Sequence, residues 1–170
     1  MNKAIFLDRD GIINKSIIVD DKPYPPKDLK EFELVDDIFD LLFYFKELGY
    51  MLFVITNQPD VSRGKNIRFN VLEIHLYLSS ILYIDDIKTC FHDGDWCDCR
   101  KPKPGMILEL AALYNIDLCS SMMVGDRRSD ILAGNAAGCY TVFVDYDYDE
   151  PKATMANAVV QNISEIKELL

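Results

Sequence analysis

Apolar residues arrive along this chain in short blocks whose period changes. Ala4–Leu7 is a continuous apolar run closed by Asp8-Arg9-Asp10-Gly11, which predicts a buried strand running into a turn. Residues 14–33 are polar and carry Pro23, Pro25 and Pro26, so a loop is expected there. Between Asp36 and Leu48 the apolar positions are Ile38, Leu41, Leu42, Phe45 and Leu48, which is helical spacing, with Gly49 suited to the C-terminal cap. A second buried strand is expected over Met51–Ile55, ending at Thr56-Asn57-Gln58-Pro59. Further strands are expected over 88–91, 122–124 and 140–144, and helices over 69–83, 104–114, 129–137 and 163–170.

Strand and helix alternate along the whole chain. That pattern predicts an α/β fold, a Rossmann-like three-layer sandwich with a mostly parallel sheet covered on both faces. At 170 residues, with no repeat and no low-complexity linker, residues 1–170 read as a single domain without room for a large cap domain. The strands end in Asp8/Asp10, Thr56/Asn57, Asp126 and Asp145. In open α/β sheets ligands sit beyond the carboxyl ends of the strands, so these side chains are expected to share one crevice.

Charge narrows the partners. Asp plus Glu number 28 against 18 Lys plus Arg, a formal charge of −10. Such a field repels nucleic acid and anionic membrane, so neither is expected as a partner. No apolar run reaches the roughly 18 residues of a membrane span, and the first residues do not form a signal-peptide core. A cytoplasmic monomer is the expectation. In that setting the five cysteines count as thiols or metal ligands before disulfides.

The two carboxylates of Asp8 and Asp10 lie two residues apart, and an extended backbone through Arg9 would point both to one side. Close carboxylates repel unless a cation intervenes, and a hard ion such as Mg²⁺ takes oxygen ligands. One carboxylate can then attack phosphorus while the other handles the leaving-group proton; Asp126 would complete the metal site from a neighbouring strand. Further along, Cys90, His92, Cys97 and Cys99 give three thiols and one imidazole within ten residues, a Cys₃His set for tetrahedral, structural zinc. Arg100 and Lys101 follow directly, so a zinc loop over about 90–101 would fix both cations in place. Cys119 and Cys139 read as buried thiols, and His75 as structural.

Phe6-Leu7-Asp8-Arg9-Asp10-Gly11 resembles the first motif of the haloacid dehalogenase-like phosphotransferases. Val54-Ile55-Thr56-Asn57 resembles their second motif, Arg100-Lys101-Pro102 the third, and Val124-Gly125-Asp126-Arg127-Arg128-Ser129-Asp130 the acidic fourth. The resemblance implies that Asp8 is the nucleophile and forms an aspartyl-phosphate, and that Asp10 is the general acid and then base. It implies that Thr56 and Lys101 bind the phosphoryl group with Arg100 beside them. Mg²⁺ would be held by Asp8, the backbone carbonyl of Asp10, and Asp126, with Asp130 behind them. Ile12 stands where Thr is usual.

The zinc loop is similar to that of two subfamilies, the heptose 1,7-bisphosphate phosphatases and the histidinol-phosphate phosphatases. Thr56-Asn57-Gln58 followed by Arg63-Gly64-Lys65, and Lys101-Pro102-Lys103-Pro104-Gly105-Met106, resemble the heptose enzymes. The short interval between the zinc-ligand pairs, and Pro59-Asp60-Val61, lean the other way. The expected substrate is a small phosphosugar, with Asn57, Gln58, Arg63, Lys65 and Arg127 as candidates to bind it. Arg suits a second phosphate because its planar fork grips bidentately. A third reading is a non-catalytic, zinc-stapled binding protein.

Overall fold

The computed structural model describes residues 1–170. β1 (Ala4–Leu7), β4 (Met51–Asn57), β5 (Asp86–Cys90), β6 (Met122–Gly125), β7 (Tyr140–Val144) and β8 (Ala158–Val160) form one sheet, in the order β5-β4-β1-β6-β7-β8. Every neighbouring pair is parallel. The continuous apolar sequences of β1, β4 and β6 follow from burial on both faces.

Alternate residues of each strand feed two cores. Ile5, Leu7, Leu52, Val54 and Val124 pack with Ile38, Leu41 and Leu42 of α1 (Ile38–Glu47) and Ile74 and Leu78 of α2 (Arg68–Ile81). Phe6, Phe53, Ile55 and Met123 face the other way, onto Met106, Ile107 and Leu110 of α3 (Gly105–Tyr114) and Ala133 of α4 (Arg128–Ala137). This is the expected three-layer arrangement. No helix is long and apolar enough to cross a membrane.

Three segments differ from the sequence reading. The expected loop over 14–33 contains a hairpin, β2 (Ile17–Val19) paired antiparallel with β3 (Lys22–Tyr24). Asp20 and Asp21 form its turn, both with positive φ (51° and 57°), as a tight two-residue hairpin requires. Its apolar residues Ile18, Val19 and Tyr24 are exposed and Pro23 interrupts it, so no strand pattern shows. β8 is a three-residue edge strand, too short to carry a period. The tail coils as a 3₁₀ turn over Ile163–Leu169, with Ile163 and Ile166 anchored in the first core.

The topology places the chemistry. From β1 the sheet grows to one side through β4 and β5, then the chain crosses over and grows through β6, β7 and β8 on the other side. The reversal lies between β1 and β6, and a doubly wound sheet opens its ligand crevice at that point. Asp8 follows β1 directly and Asp126 follows β6 directly.

Candidate active site

The amide of Asp8 still pairs with the carbonyl of Val124 at 3.0 Å, so the nucleophile candidate is fixed by the sheet ladder itself. Asp8, Asp126 and Asp130 bring one carboxylate oxygen each within 4.8 Å of one another, and all three residues are buried. Two glycines make the approach possible. A Cβ on Gly11, where φ is +96°, would lie 1.9 Å from Oδ2 of Asp126, and one on Gly125 would lie 2.2 Å from Cβ of Asp130.

Lys101 is the cation of this cluster and is 4% exposed. Its ammonium lies 2.7 Å from Oδ1 of Asp8 and 2.7 Å from Oδ1 of Asp130, and it donates to the carbonyl of Ile55 at 2.9 Å. Two of these contacts are hydrogen bonds, to Asp8 and Ile55, and the contact with Asp130 is an ion pair. Burial alone would lower its pKa, but Asp130 and Asp8 outweigh burial and raise it. Asp8 is pushed up to about 7, first by burial and then by the charge of Asp130, against the pull of Lys101. Asp126 is raised well above the usual carboxylate range by burial, then by Asp8 and Asp130.

Three buried carboxylates face one ammonium, so full ionisation would leave two negative charges unmatched, which is why Asp8 and Asp126 are raised. Both oxygens of Asp126 are buried without a hydrogen-bond partner. Buried charges are normally paired or bind metal, so this donor set fits a divalent, oxygen-seeking cation.

Asp8 and Asp10 have different partners: Asp8 meets Lys101, while Asp10 sits in a cradle of donors. Arg9, fully buried, contributes Nε at 3.1 Å and Nη2 at 3.0 and 3.1 Å; Asn14 donates Nδ2 at 3.0 Å; Gln58 donates Nε2 at 2.7 Å. The physical reason is Arg9, whose buried guanidinium needs an adjacent anion. Gln58, a candidate substrate ligand, is 2% exposed and spends its amide on Asp10 and on the hydroxyl of Thr56 at 2.9 Å. Asn57 is likewise engaged, clasping the backbone of Lys101 through its N–H at 3.1 Å and its carbonyl at 3.0 Å. Arg9 and Asn14 were missed by the sequence reading. The available signal was an arginine placed between the two carboxylates of one motif.

Sγ of Cys90 lies 3.7 Å from Cys97 and 3.1 Å from Cys99, while Nδ1 of His92 lies 3.6 Å from Cys90 and 3.3 Å from Cys99. Sulfurs at about 2.3 Å from a tetrahedral zinc stand about 3.8 Å apart; the Cys90–Cys97 pair matches this, the Cys90–Cys99 pair is closer, and the four residues make a donor set suited to that ion. All five cysteines are free thiols. Cys139 is buried as expected, but Cys119 is exposed because it sits in a surface 3₁₀ turn over Leu118–Ser120. Arg100 is tied to the loop by donating Nη1 to the carbonyl of His92 at 3.0 Å.

The outlying cations are less tightly gathered. Arg63 pairs with Asp60 at 3.3 Å and with Asp93 of the cysteine loop at 2.6 Å, and Lys65 is exposed beside it. Arg127 pairs with Glu150 at 3.3 Å and donates to the carbonyl of Pro23 at 2.5 Å. It borders a shallow cleft together with Asp126, Asp145, Tyr148 and Lys152. Asp145, a strand-end carboxylate, is thus beside Asp126 but is paired with Lys152 at 2.5 Å.

A D-glycero-β-D-manno-heptose-1,7-bisphosphate 7-phosphatase of Helicobacter pylori is 43% identical over 78% of this chain and 78% of its own. One of Vibrio cholerae is 32% identical over 98% of this chain and 95% of its own. The chain belongs to the haloacid dehalogenase-like hydrolases, in the family of the heptose bisphosphate phosphatases. The HAD-hydrolase-like family model matches residues 98–166, the part that holds Lys101, Asp126 and Asp130. The D,D-heptose 1,7-bisphosphate phosphatase of B. bronchiseptica, solved with magnesium and phosphate, superposes with a TM-score of 0.78 at 26% identity, covering 98% of this chain and 97% of that one. The protein is a phosphoric monoester hydrolase with the haloacid dehalogenase-like fold.

Proposed function

We propose that the protein hydrolyses the 7-phosphate of D-glycero-D-manno-heptose 1,7-bisphosphate, leaving heptose 1-phosphate and inorganic phosphate, with Mg²⁺ as cofactor and structural zinc in the 90–99 loop. The observation that carries the chemistry is the buried trio of Asp8, Asp126 and Asp130 with Lys101, whose uncompensated charge calls for a divalent cation beside a nucleophile. The heptose assignment is supported by relatives bearing that name that match 78% and 98% of the chain.

Mg²⁺ would be held by Asp8, Asp126 and the backbone carbonyl of Asp10, where it would neutralise charge on the transferring phosphoryl group. Oδ1 of Asp8 accepts from the amide of Arg9 and from Lys101, both at 2.7 Å, which leaves Oδ2 to attack phosphorus. As that bond forms, the bond from phosphorus to the sugar oxygen breaks, and Asp10, which must enter this step protonated, gives its proton to the departing oxygen. Asp10 then takes a proton from water, and the resulting hydroxide attacks the aspartyl-phosphate, freeing phosphate and restoring Asp8. Thr56 and Lys101 line the phosphoryl position, with Arg100 held alongside by the zinc loop. Arg63, Lys65 and Arg127 would be the cations for a second phosphate; Asn57 and Gln58 act on the site through Lys101 and Asp10.

The test is Mg²⁺-dependent phosphate release from a panel of both anomers of the heptose bisphosphate, histidinol phosphate and common hexose phosphates, with Asp8→Asn as control. Preference for a heptose bisphosphate and no turnover by Asp8→Asn is expected. Preference for histidinol phosphate would overturn the substrate, and undiminished turnover by Asp8→Asn would overturn the nucleophile.

A further inference from the structure

Arg9 uses its guanidinium in two directions. Nε and Nη2 grip both oxygens of Asp10, while Nη1 meets Nε2 of His75 at 3.1 Å, with no other partner. His75 projects from α2, between the core residues Val71 and Leu78 of the same helix, and is 8% exposed. A guanidinium can only donate, so Nε2 of His75 accepts and carries no proton in this contact.

We propose that His75 is a positioning residue for proton transfer: by fixing the plane of Arg9 it fixes the carboxylate of Asp10, the group that must reach the leaving oxygen. The guanidinium is planar and rigid, so anchoring Nη1 orients the edge that holds Asp10. Without His75, Nη1 is a buried donor with no acceptor, and Arg9 can relieve that only by tilting. Asn14 and Gln58 then remain on Asp10, but each holds a single oxygen. A pure packing role would require only the bulk of the imidazole, which leucine or glutamine nearly supplies.

The inference rests on the phosphatase reading above, and the experiment separates the two. His75→Leu removes the acceptor and His75→Gln keeps one. Both are compared with wild type on the heptose bisphosphate and on p-nitrophenyl phosphate, whose phenolate departs without a proton. With the sugar substrate, His75→Leu is expected to lose roughly 10–100-fold in kcat, with KM held within about twofold. Its kcat/KM on p-nitrophenyl phosphate is expected to fall less than about threefold, and His75→Gln to recover most of the loss on the sugar. The ratio of the two esters is taken within one preparation, so it does not depend on the fraction folded. Equal losses on both esters, equal losses in both variants, or no loss would each overturn the positioning role. A wild-type protein that released no phosphate from any ester would instead overturn the phosphatase reading.

Discussion

Removing Lys101 tests the charge arithmetic of the site directly. Lys101→Met keeps most of the side-chain volume but deletes the only ammonium between Asp8 and Asp130, each 2.7 Å away. Leaving buried charge without its partner costs about 3–5 kcal/mol. In a domain of this size each kcal/mol moves the melting temperature by about 2–4 °C, so the metal-free variant should melt roughly 6–20 °C below wild type at pH 8.

The pH dependence of that loss has a definite sign. Asp8 is already raised to about 7 with Lys101 in place, and removing the ammonium raises it further. An unfolded aspartate titrates near 4. Between those values the folded state holds a proton that the unfolded state has released, so stability falls as pH rises through the window. The variant should therefore be closer to wild type at pH 5 than at pH 8. Mg²⁺, which displaces that proton, should protect it more at pH 8. Circular dichroism melts at both pH values, with and without Mg²⁺, measure this. A melting temperature within about 2 °C of wild type at pH 8, or the same drop at both pH values, would refute the idea that Lys101 neutralises a buried excess of carboxylate.

Three further outcomes follow from the same geometry. Gly11→Ala would place a methyl group 1.9 Å from Oδ2 of Asp126 at a φ of +96°, so titration calorimetry should show Mg²⁺ affinity at least about tenfold weaker; unchanged affinity would remove Gly11 from the account. Elemental analysis should find one zinc per chain, and chelation or Cys97→Ser should lower the melting temperature and slow turnover, because Arg100 hangs on the carbonyl of His92; a zinc-free protein of full activity would sever that link. Arg63→Ala should cost no more than about 1 kcal/mol in stability, since its pairs with Asp60 and Asp93 are solvent-exposed. It should raise KM about tenfold for the bisphosphate and leave a monophosphate ester unaffected if Arg63 holds the second phosphate, and equal KM for both would exclude that role.

Much of this protein is legible in its sequence because each strand is a short apolar run that ends abruptly in polar residues. Burial on both faces forces that pattern, so the α/β class, the parallel sheet and the strand-end position of Asp8, Thr56 and Asp126 could all be read from one chain. The cluster of Cys90, His92, Cys97 and Cys99 was equally plain, since all four fall within ten residues and local spacing suffices. The hairpin over Ile17–Tyr24 was not readable, because Ile18, Val19 and Tyr24 face solvent and only its two left-handed aspartates make the turn.

What the tertiary structure alone decided is where each charge points. Sequence places Asp8 and Asp10 side by side, yet the fold sends one to Lys101, 93 residues away, and the other to Arg9, Asn14 and Gln58. It likewise ties Asn57 to the backbone of Lys101 and Gln58 to Asp10, and it brings His75 onto Arg9 from α2. Hydrophobic periodicity is set by burial, residue by residue, and survives in the sequence. The pairing of buried charges is a balance struck across strands and helices far apart in the chain, and it exists only once they have packed.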